Sequence, residues 1–470
     1  MVFSSPLFLF LFLPVVLAIY FASRQALRNA ILLAASLLFY AWGEPVYILL
    51  MLYSTAMNYG FGMLVEDYRG RRPGRWILGV AIMANLALLF YYKYFGFALT
   101  SLGSHASLLA AQLGVPDSLP VGISFYTFHA ISYLIDVFRR ESPAQRNPLD
   151  LGLYIAFFPQ LIAGPIIRYH DIAEQLRQRH IALADINAGA LRFTLGLAKK
   201  VLLANTCGQV ADSIFALPAA ELAPQTAWLG ILAYTLQLYF DFSGYSDMAI
   251  GLARMFGFRF LENFNYPYIA NSIQDFWRRW HISLSRWFRD YLYIPLGGNR
   301  LGAGRTYLNL LIVFFVTGLW HGANWTFIVW GLFHGAFLIA ERIGAKRLQL
   351  QIWPPLRHLY VWLIVMTGWV FFRADSLDHA GYYLYALSAW HPASPAARDA
   401  AEFLTRESVW AMGLACVLTT PVYPWLTRRL AGTAARYQTI AQTGLIGLVL
   451  FAVALKLAQQ TYNPFIYFRF

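Results

Sequence analysis

Residues Thr317 to Trp325 read TGLWHGANW, and they put the imidazole of His321 inside an otherwise apolar stretch, LNLLIVFFV before it and TFIVWGLF after it. A polar ring in such surroundings is costly unless it is paired or faces water. Imidazole titrates near neutrality, so at the end of a cavity it could take a proton from an incoming hydroxyl as a general base. The alternative is a core histidine bonded to a neighbouring helix; the glycine and asparagine that follow favour chemistry. His281 is the second candidate, in FWRRWHISLSRWFRDYLY. There Phe276, Trp277, Trp280, Leu284, Trp287 and Phe288 recur at helical spacing as one wide aromatic face, with Arg278, Arg279, Arg286 and Arg289 on much of the remainder. The pattern predicts a single amphipathic helix at the inner membrane surface. The same helix could also form one wall of a cytoplasmic funnel whose arginines attract a phosphate-bearing donor. Asp241 and Asp247, in YFDFSGYSDMA, are acids in or beside an apolar span, and such acids are site candidates by default. Their alternative is a structural pairing with an arginine or a tyrosine.

Other chemistries lack their signatures. There is no Walker loop, GxGxxG, HExxH or GxSxG, which argues against ATPases, common serine hydrolases and intramembrane metalloproteases. His321 and His334 are not spaced i, i+4, and no CxxC exists, so no metal site is expected. The two cysteines, Cys207 and Cys416, sit in apolar sequence and read as buried, inert thiols.

The elements that must hold these residues are membrane helices. Of 470 residues 59% are hydrophobic and 13% charged, about half the charge of an ordinary soluble domain. No stretch is polar enough to be a soluble domain, so the chain reads as one all-α integral-membrane domain, 1–470, of about eleven spans. These are Pro6–Ala22, Ala30–Trp42, Val46–Val65, Trp76–Tyr92, Val121–Phe138, Ile186–Phe215, Trp228–Phe256, Leu308–Ala340, Leu359–Phe372, Val409–Leu426 and Ile440–Leu457. The first lacks a basic n-region and reads as a retained span, not a signal peptide. The net charge of +13 comes from arginines and lysines in short loops, the positive-inside signal, with anionic lipid nearby and no nucleic acid. Arg24 and Arg28, and later EDYRGRRPGR (Glu66–Arg75), lie inside, and the N-terminus lies outside.

Two places break the alternation. LDLGLYIAFFPQLIAGPII is flanked on both sides by basic loops and interrupted by Pro159 and Gly164-Pro165, which predicts a re-entrant hairpin and a buried cavity. Leu308–Ala340 is likewise flanked by basic segments and is about long enough for two short crossings, which predicts a helical hairpin turning near Trp320-His321-Gly322-Ala323-Asn324. One long tilted helix plus a short one is the other possibility. Ala374–Ser408 reads as a polar outer stretch carrying a short interfacial helix.

These motifs resemble the membrane-bound O-acyltransferase family, on VFSSPLFLFLFLP, FYAWGEP, VGISFYTFHAISYLIDVFR, FFPQLIAGPIIR, LYFDFSGYSDMAIG, FWRRWHISLSRWFRDYLYIPLGGNR, GLWHGANWTFIVWGLFHG and the terminal NPFIYFRF. The likeness covers nearly the whole chain and is strongest to the bacterial branch that serves O-acetylation of alginate and cellulose. The resemblance implies a many-helix fold around a cytoplasmic funnel, with His321 as the essential histidine and His281 as the second polar catalytic position. Substrate contacts are expected from Trp277, Arg278, Trp280, Trp320, Asn324 and Asp241. By the same resemblance, no cofactor stays bound and acetyl-CoA is the donor. The implied partners are periplasmic SGNH-type acetyltransferases and a polysaccharide secretion complex, and the implied location is the bacterial inner membrane. D-alanyl transfer to teichoic acid, and a transporter that moves an acylated carrier without chemistry, are the competing readings.

Overall fold

The computed structural model describes residues 1–103, 119–348, 353–388, 395–430, 435–459 and 462–463. The terminal NPFIYFRF, apart from Asn463, and part of Ala374–Ser408 lie outside the described residues. The fold is helical: among the described residues the β pairing is confined to one isolated bridge, Leu222 with Arg398. Among the described residues, six helices are long and apolar enough to cross a membrane: Ile48–Tyr68, Arg72–Ser101, Ala303–His321, Trp325–Gly344, Pro354–Arg373 and Gln442–Gln459. Counting the pair Arg406–Leu418 and Val422–Arg429, bent by 69°, as one span makes seven. Several other expected spans are helical but are shorter or less apolar, as with Ile123–Arg139 and Pro224–Met255. Bulky apolar side chains point out of the protein, Trp76 at 79% exposure among them, which suits a hydrocarbon solvent and not water.

The residues gather into two compact units, Met1–Phe193 with Met248–Leu261, and Thr194–Asp247 with Glu262–Phe470. In the first, helices Ile48–Tyr68 and Arg72–Leu89 share a buried amide pair, in which Asn58 and Asn85 each donate to the other's carbonyl oxygen. That mutual pairing meets the requirement that buried amides find partners. The segment interrupted by Pro159 forms helix Pro148–Ala156, a break at Phe157 and a four-residue turn Phe158–Leu161. Every residue from 151 to 167 is buried in protein, the condition under which non-helical backbone survives at membrane depth. The Phe158 N–H donates to the Ser36 hydroxyl, Gln160 donates to the Tyr154 carbonyl, and Phe158 packs among Phe3, Phe8, Phe12 and Phe39. Gly164 is required there, because a Cβ would lie 2.5 Å from the Gln160 Cα.

In the second unit the hairpin turns where the sequence placed it. Helix Ala303–His321 ends on the histidine, Gly322 is extended, and helix Trp325–Leu348 begins three residues on. The two helices touch backbone to backbone, since a Cβ on Gly318 would lie 2.3 Å from the Phe327 carbonyl oxygen and one on Gly331 2.2 Å from that of Phe314. Small residues permit that approach where no water drives association. The single long tilted helix is thereby excluded.

Candidate active site

The aromatic stretch expected as one amphipathic helix is two. Helix Ile273–Arg279 is capped by the Ser272 hydroxyl, which accepts from the Asp275 N–H, and ends at Trp280; helix Ile282–Phe288 follows. Between them His281 takes a left-handed conformation, φ 43°, which costs a non-glycine residue about 1–3 kcal/mol unless its surroundings hold it. Asn263 is what holds it. Its backbone carbonyl accepts the Ile282 N–H, and its side-chain oxygen accepts the Ser283 N–H and hydroxyl at 3.1 and 2.9 Å. The same oxygen meets His281 Nδ1 at 3.2 Å, and the Asn263 amide donates to the Ser246 hydroxyl. The Ser283 backbone N–H can only donate, so the Asn263 atom that it meets is the oxygen. His281 Nδ1 therefore carries the hydrogen, and in the neutral ring the lone pair lies on Nε2. That Nε2 is buried and has no hydrogen-bond partner among the described residues.

The break also corrects the expectation of an interfacial helix. Phe276, Trp277, Trp280, Leu284, Trp287 and Phe288 are all buried in protein. Arg278, Arg286 and Arg289 are exposed on the other side, while Arg279 is partly buried and paired with Asp275. Arg278 therefore does not join the cluster that the tryptophans build.

That cluster brings the two catalytic candidates together. The rings of His281 and His321 lie 6.4 Å apart, between centroids, and Trp320 contacts both. His321 is 5% exposed and is ringed by Trp320 at 4.9 Å, Trp330 at 5.0 Å and Phe372 at 5.2 Å. A small cavity of about 10 Å³ opens against His321, lined also by Leu238, Phe242, Trp280, Trp330, Trp369 and Phe372. That volume holds about one water, so a substrate must displace side chains to reach the ring. Trp277 lies at one side of the cluster, against Phe314, Trp330 and His334.

The remaining candidates have structural duties. Asn324 closes the hairpin turn: its side-chain oxygen accepts the Thr326 N–H and its amide donates to the Asp375 carbonyl. Asp241 is buried and forms an ion pair with the buried Lys200 at 2.7 Å, and Asp247 pairs with Lys199 at 2.6 Å. Lysines thus pair with both acids, where an arginine or a tyrosine was expected. They come from a π-helical turn, Lys199–Ala204. Of the cysteines, Cys207 is buried but Cys416 is exposed, which corrects the reading of two buried thiols.

Sequence reasoning missed Asn263, Trp330, Trp369, Phe372 and His334 as parts of this site. His334 is fully buried beside Trp277 and Trp330, and neither ring nitrogen has a hydrogen-bond partner among the described residues. Gly368 makes room for it, since a Cβ there would lie 2.5 Å from His334 Nε2. The i, i+4 spacing of Trp330 and His334 was visible, but nothing in the sequence set it apart from core packing. Trp330 lies against both His321 and His334. The one grouping of metal-capable side chains among the described residues, Asp136, Glu141 and His170, belongs to the first unit. There His170 Nδ1 bonds the Asp136 carboxylate at 2.9 Å.

Comparison with known proteins bears on this arrangement. The profile of the membrane-bound O-acyltransferase family matches residues 125–374, which include both histidines. A probable alginate O-acetylase of Azotobacter vinelandii is 43% identical over 503 residues, covering 100% of both chains. A peptidoglycan O-acetyltransferase of Helicobacter pylori is 37% identical over 447 residues, covering 86% of this chain and 84% of the relative. A teichoic acid D-alanyltransferase of Bacillus subtilis is 26% identical over 342 residues, covering 69% of this chain and 81% of the relative.

Proposed function

The chain belongs to the membrane-bound O-acyltransferase family, and we propose that it passes an acetyl group from cytoplasmic acetyl-CoA across the inner membrane for O-acetylation of alginate. That it is a multi-pass membrane O-acetyltransferase follows from the family, the O-acetylating relatives and the apolar helices. Alginate is favoured over D-alanyl transfer by the full-length likeness to alginate O-acetylases against 26% identity to the teichoic acid enzyme.

The observation that carries the mechanism is the pair of buried imidazoles 6.4 Å apart beside a small cavity in an aromatic cage. In the reaction, an acceptor hydroxyl attacks the thioester carbonyl carbon. Its proton passes to His321 as the new C–O bond forms; the C–S bond breaks, and the departing sulfur recovers the proton as a thiol. A base held this way contributes about 10²–10⁴ in rate, and positioning supplies the rest. His281, with its hydrogen held on Nδ1 by Asn263, offers Nε2 to orient the acceptor or share the proton. The cage keeps water from hydrolysing the thioester and strengthens each polar contact inside it. Trp277, Trp280 and Trp320 shape the acyl slot. Arg278, which lies outside the cage, fits a contact with the donor's phosphates at the funnel mouth.

Around this core we place about eleven spans, the N-terminus outside and the interrupted segment as a re-entrant hairpin. The acetyl group then goes to an extracytoplasmic acceptor, a serine of an SGNH-type acetyltransferase or a small carrier, within a polysaccharide secretion complex. Purified protein given labelled acetyl-CoA tests the donor. Release of free CoA that depends on the protein is expected; label that stays on acetyl-CoA with acceptor present would overturn the proposal.

A further inference from the structure

A polar cavity in the first unit shares no lining residue with the histidine cage. It measures about 220 Å³ and is lined by Arg28, Asn29, Asn147, Asp150, Arg177 and Arg179, with apolar wall from Ala26, Ala30 and Leu149. Three arginines and one aspartate thus line the cavity. That carboxylate is already engaged: the Asn29 amide donates to Asp150 at 2.7 Å, and Arg179 donates to the Asn29 side-chain oxygen at 2.7 Å. Arg179 is further fixed by its Nε, which donates to the Phe256 carbonyl and the Tyr20 hydroxyl. Arg28 lies over the Tyr20 ring, 5.0 Å from its centroid.

Two guanidinium nitrogens remain unsatisfied. Arg28 Nε and Arg179 Nη2 are buried and have no hydrogen-bond partner among the described residues. A buried charged donor without an acceptor is expensive. An oxyanion with several acceptor oxygens removes that expense, and guanidinium forks suit phosphate. Arg24 and Arg28 follow the first apolar helix directly, Arg177 ends the short amphipathic helix Tyr169–Arg177, and Arg179 lies two residues beyond it. A basic pocket at the ends of membrane helices has the position and charge that bind phospholipid headgroups.

From this geometry we infer that the cavity between Arg28, Arg177 and Arg179 is a phosphate-binding site, filled by the headgroup of an anionic phospholipid or by a soluble phosphate. The site stands apart from the acyl-transfer reading, because it uses none of the residues of the histidine cage.

The test uses the full chain purified in detergent, with two probes: phosphatidylglycerol retained through delipidation, counted by native mass spectrometry, and inorganic phosphate, read by ³¹P NMR. Arg28→Gln removes one guanidinium, and Ala26→Trp fills the cavity with all three arginines kept. The second variant keeps the test open if the first fails to accumulate. Thermal unfolding checks that each is folded. At least a tenfold loss of phosphatidylglycerol in both variants, with no displacement by phosphate, supports a lipid site. Saturable phosphate binding lost in both supports a soluble ligand. Equal retention and equal phosphate binding in wild type and both variants, or binding of neither probe by wild type, overturns the inference.

Discussion

Two regions of this protein interrupt helices in apolar surroundings, and they are built to different ends. In the first unit, residues 157–167 leave the helix and are wholly buried, yet contain no titratable side chain. The Ser36 hydroxyl takes the Phe158 N–H, and the Gln160 amide reaches back to the Tyr154 carbonyl. In the second unit, the breaks at His281 and after His321 each end on an imidazole, and the two rings converge. A break in a membrane helix is therefore not by itself a site. What separates the two is a pair of converging imidazoles, of which His281 is held through Nδ1 by Asn263 with its Nε2 left available.

The comparison can be broken or sharpened by mutation. The largest effect concerns Asp241, which the structure ties to Lys200 and the sequence offered as a substrate contact. Removing one partner of a buried ion pair costs about 3–5 kcal/mol, while replacing both can be nearly neutral. Lys200→Met should therefore abolish accumulation in the membrane, and Lys200→Met with Asp241→Leu should restore it. If the restored protein also transfers acetyl, Asp241 belongs to the scaffold; if it is folded but inactive, Asp241 belongs to the chemistry.

Next come the breaks themselves. Gly164→Ala forces a Cβ onto backbone and should destabilise by about 1–3 kcal/mol, with activity falling only in step with the amount of folded protein. Asn263→Ala leaves donors on Ser283 and His281 unpaired, at about 1–3 kcal/mol, and should also lower kcat per folded molecule and shift the pH–rate profile. His281→Ala should weaken transfer less than loss of His321 does. Activity per folded molecule, measured in parallel with thermal unfolding, separates the two regions; identical behaviour of Gly164→Ala and Asn263→Ala would erase the distinction.

The smallest effect lies outside the spans. The hydrogen bond from His170 to Asp136 raises the histidine's pKa, against the opposing effect of burial. A raised folded-state pKa contributes stability that is full below the unfolded value, about 6.5, and is lost as pH rises through the folded value. The unfolding midpoint should thus fall modestly as pH is raised from about 6 towards 8, and Asp136→Asn should flatten that slope. An unchanged slope in the variant would remove the pair from the account.

Much of this was legible in the sequence. The hairpin turn at His321 followed from basic flanks and the length of the apolar run, and the buried segment around Pro159 followed from its breakers. The cage was legible only in half. Trp277, Trp280 and Trp320 stand next to the histidines in sequence, whereas Trp330, Trp369 and Phe372 arrive from other helices by packing. The kink at His281 was invisible, because periodicity runs smoothly through WRRWHISLSRW and the cause is a distant asparagine, Asn263. Lys200 was missed because its partner, Asp241, lies on a separate helix, and nothing in the local sequence pairs the two.

The central claim is that the His321 imidazole takes the acceptor's proton. Single-turnover transfer from labelled acetyl-CoA, with wild type and His321→Ala matched for folded protein, tests it directly. The account predicts a loss of about 10²–10⁴ in the transfer rate with the variant still accumulated and folded. Transfer at the wild-type rate by that variant would contradict it.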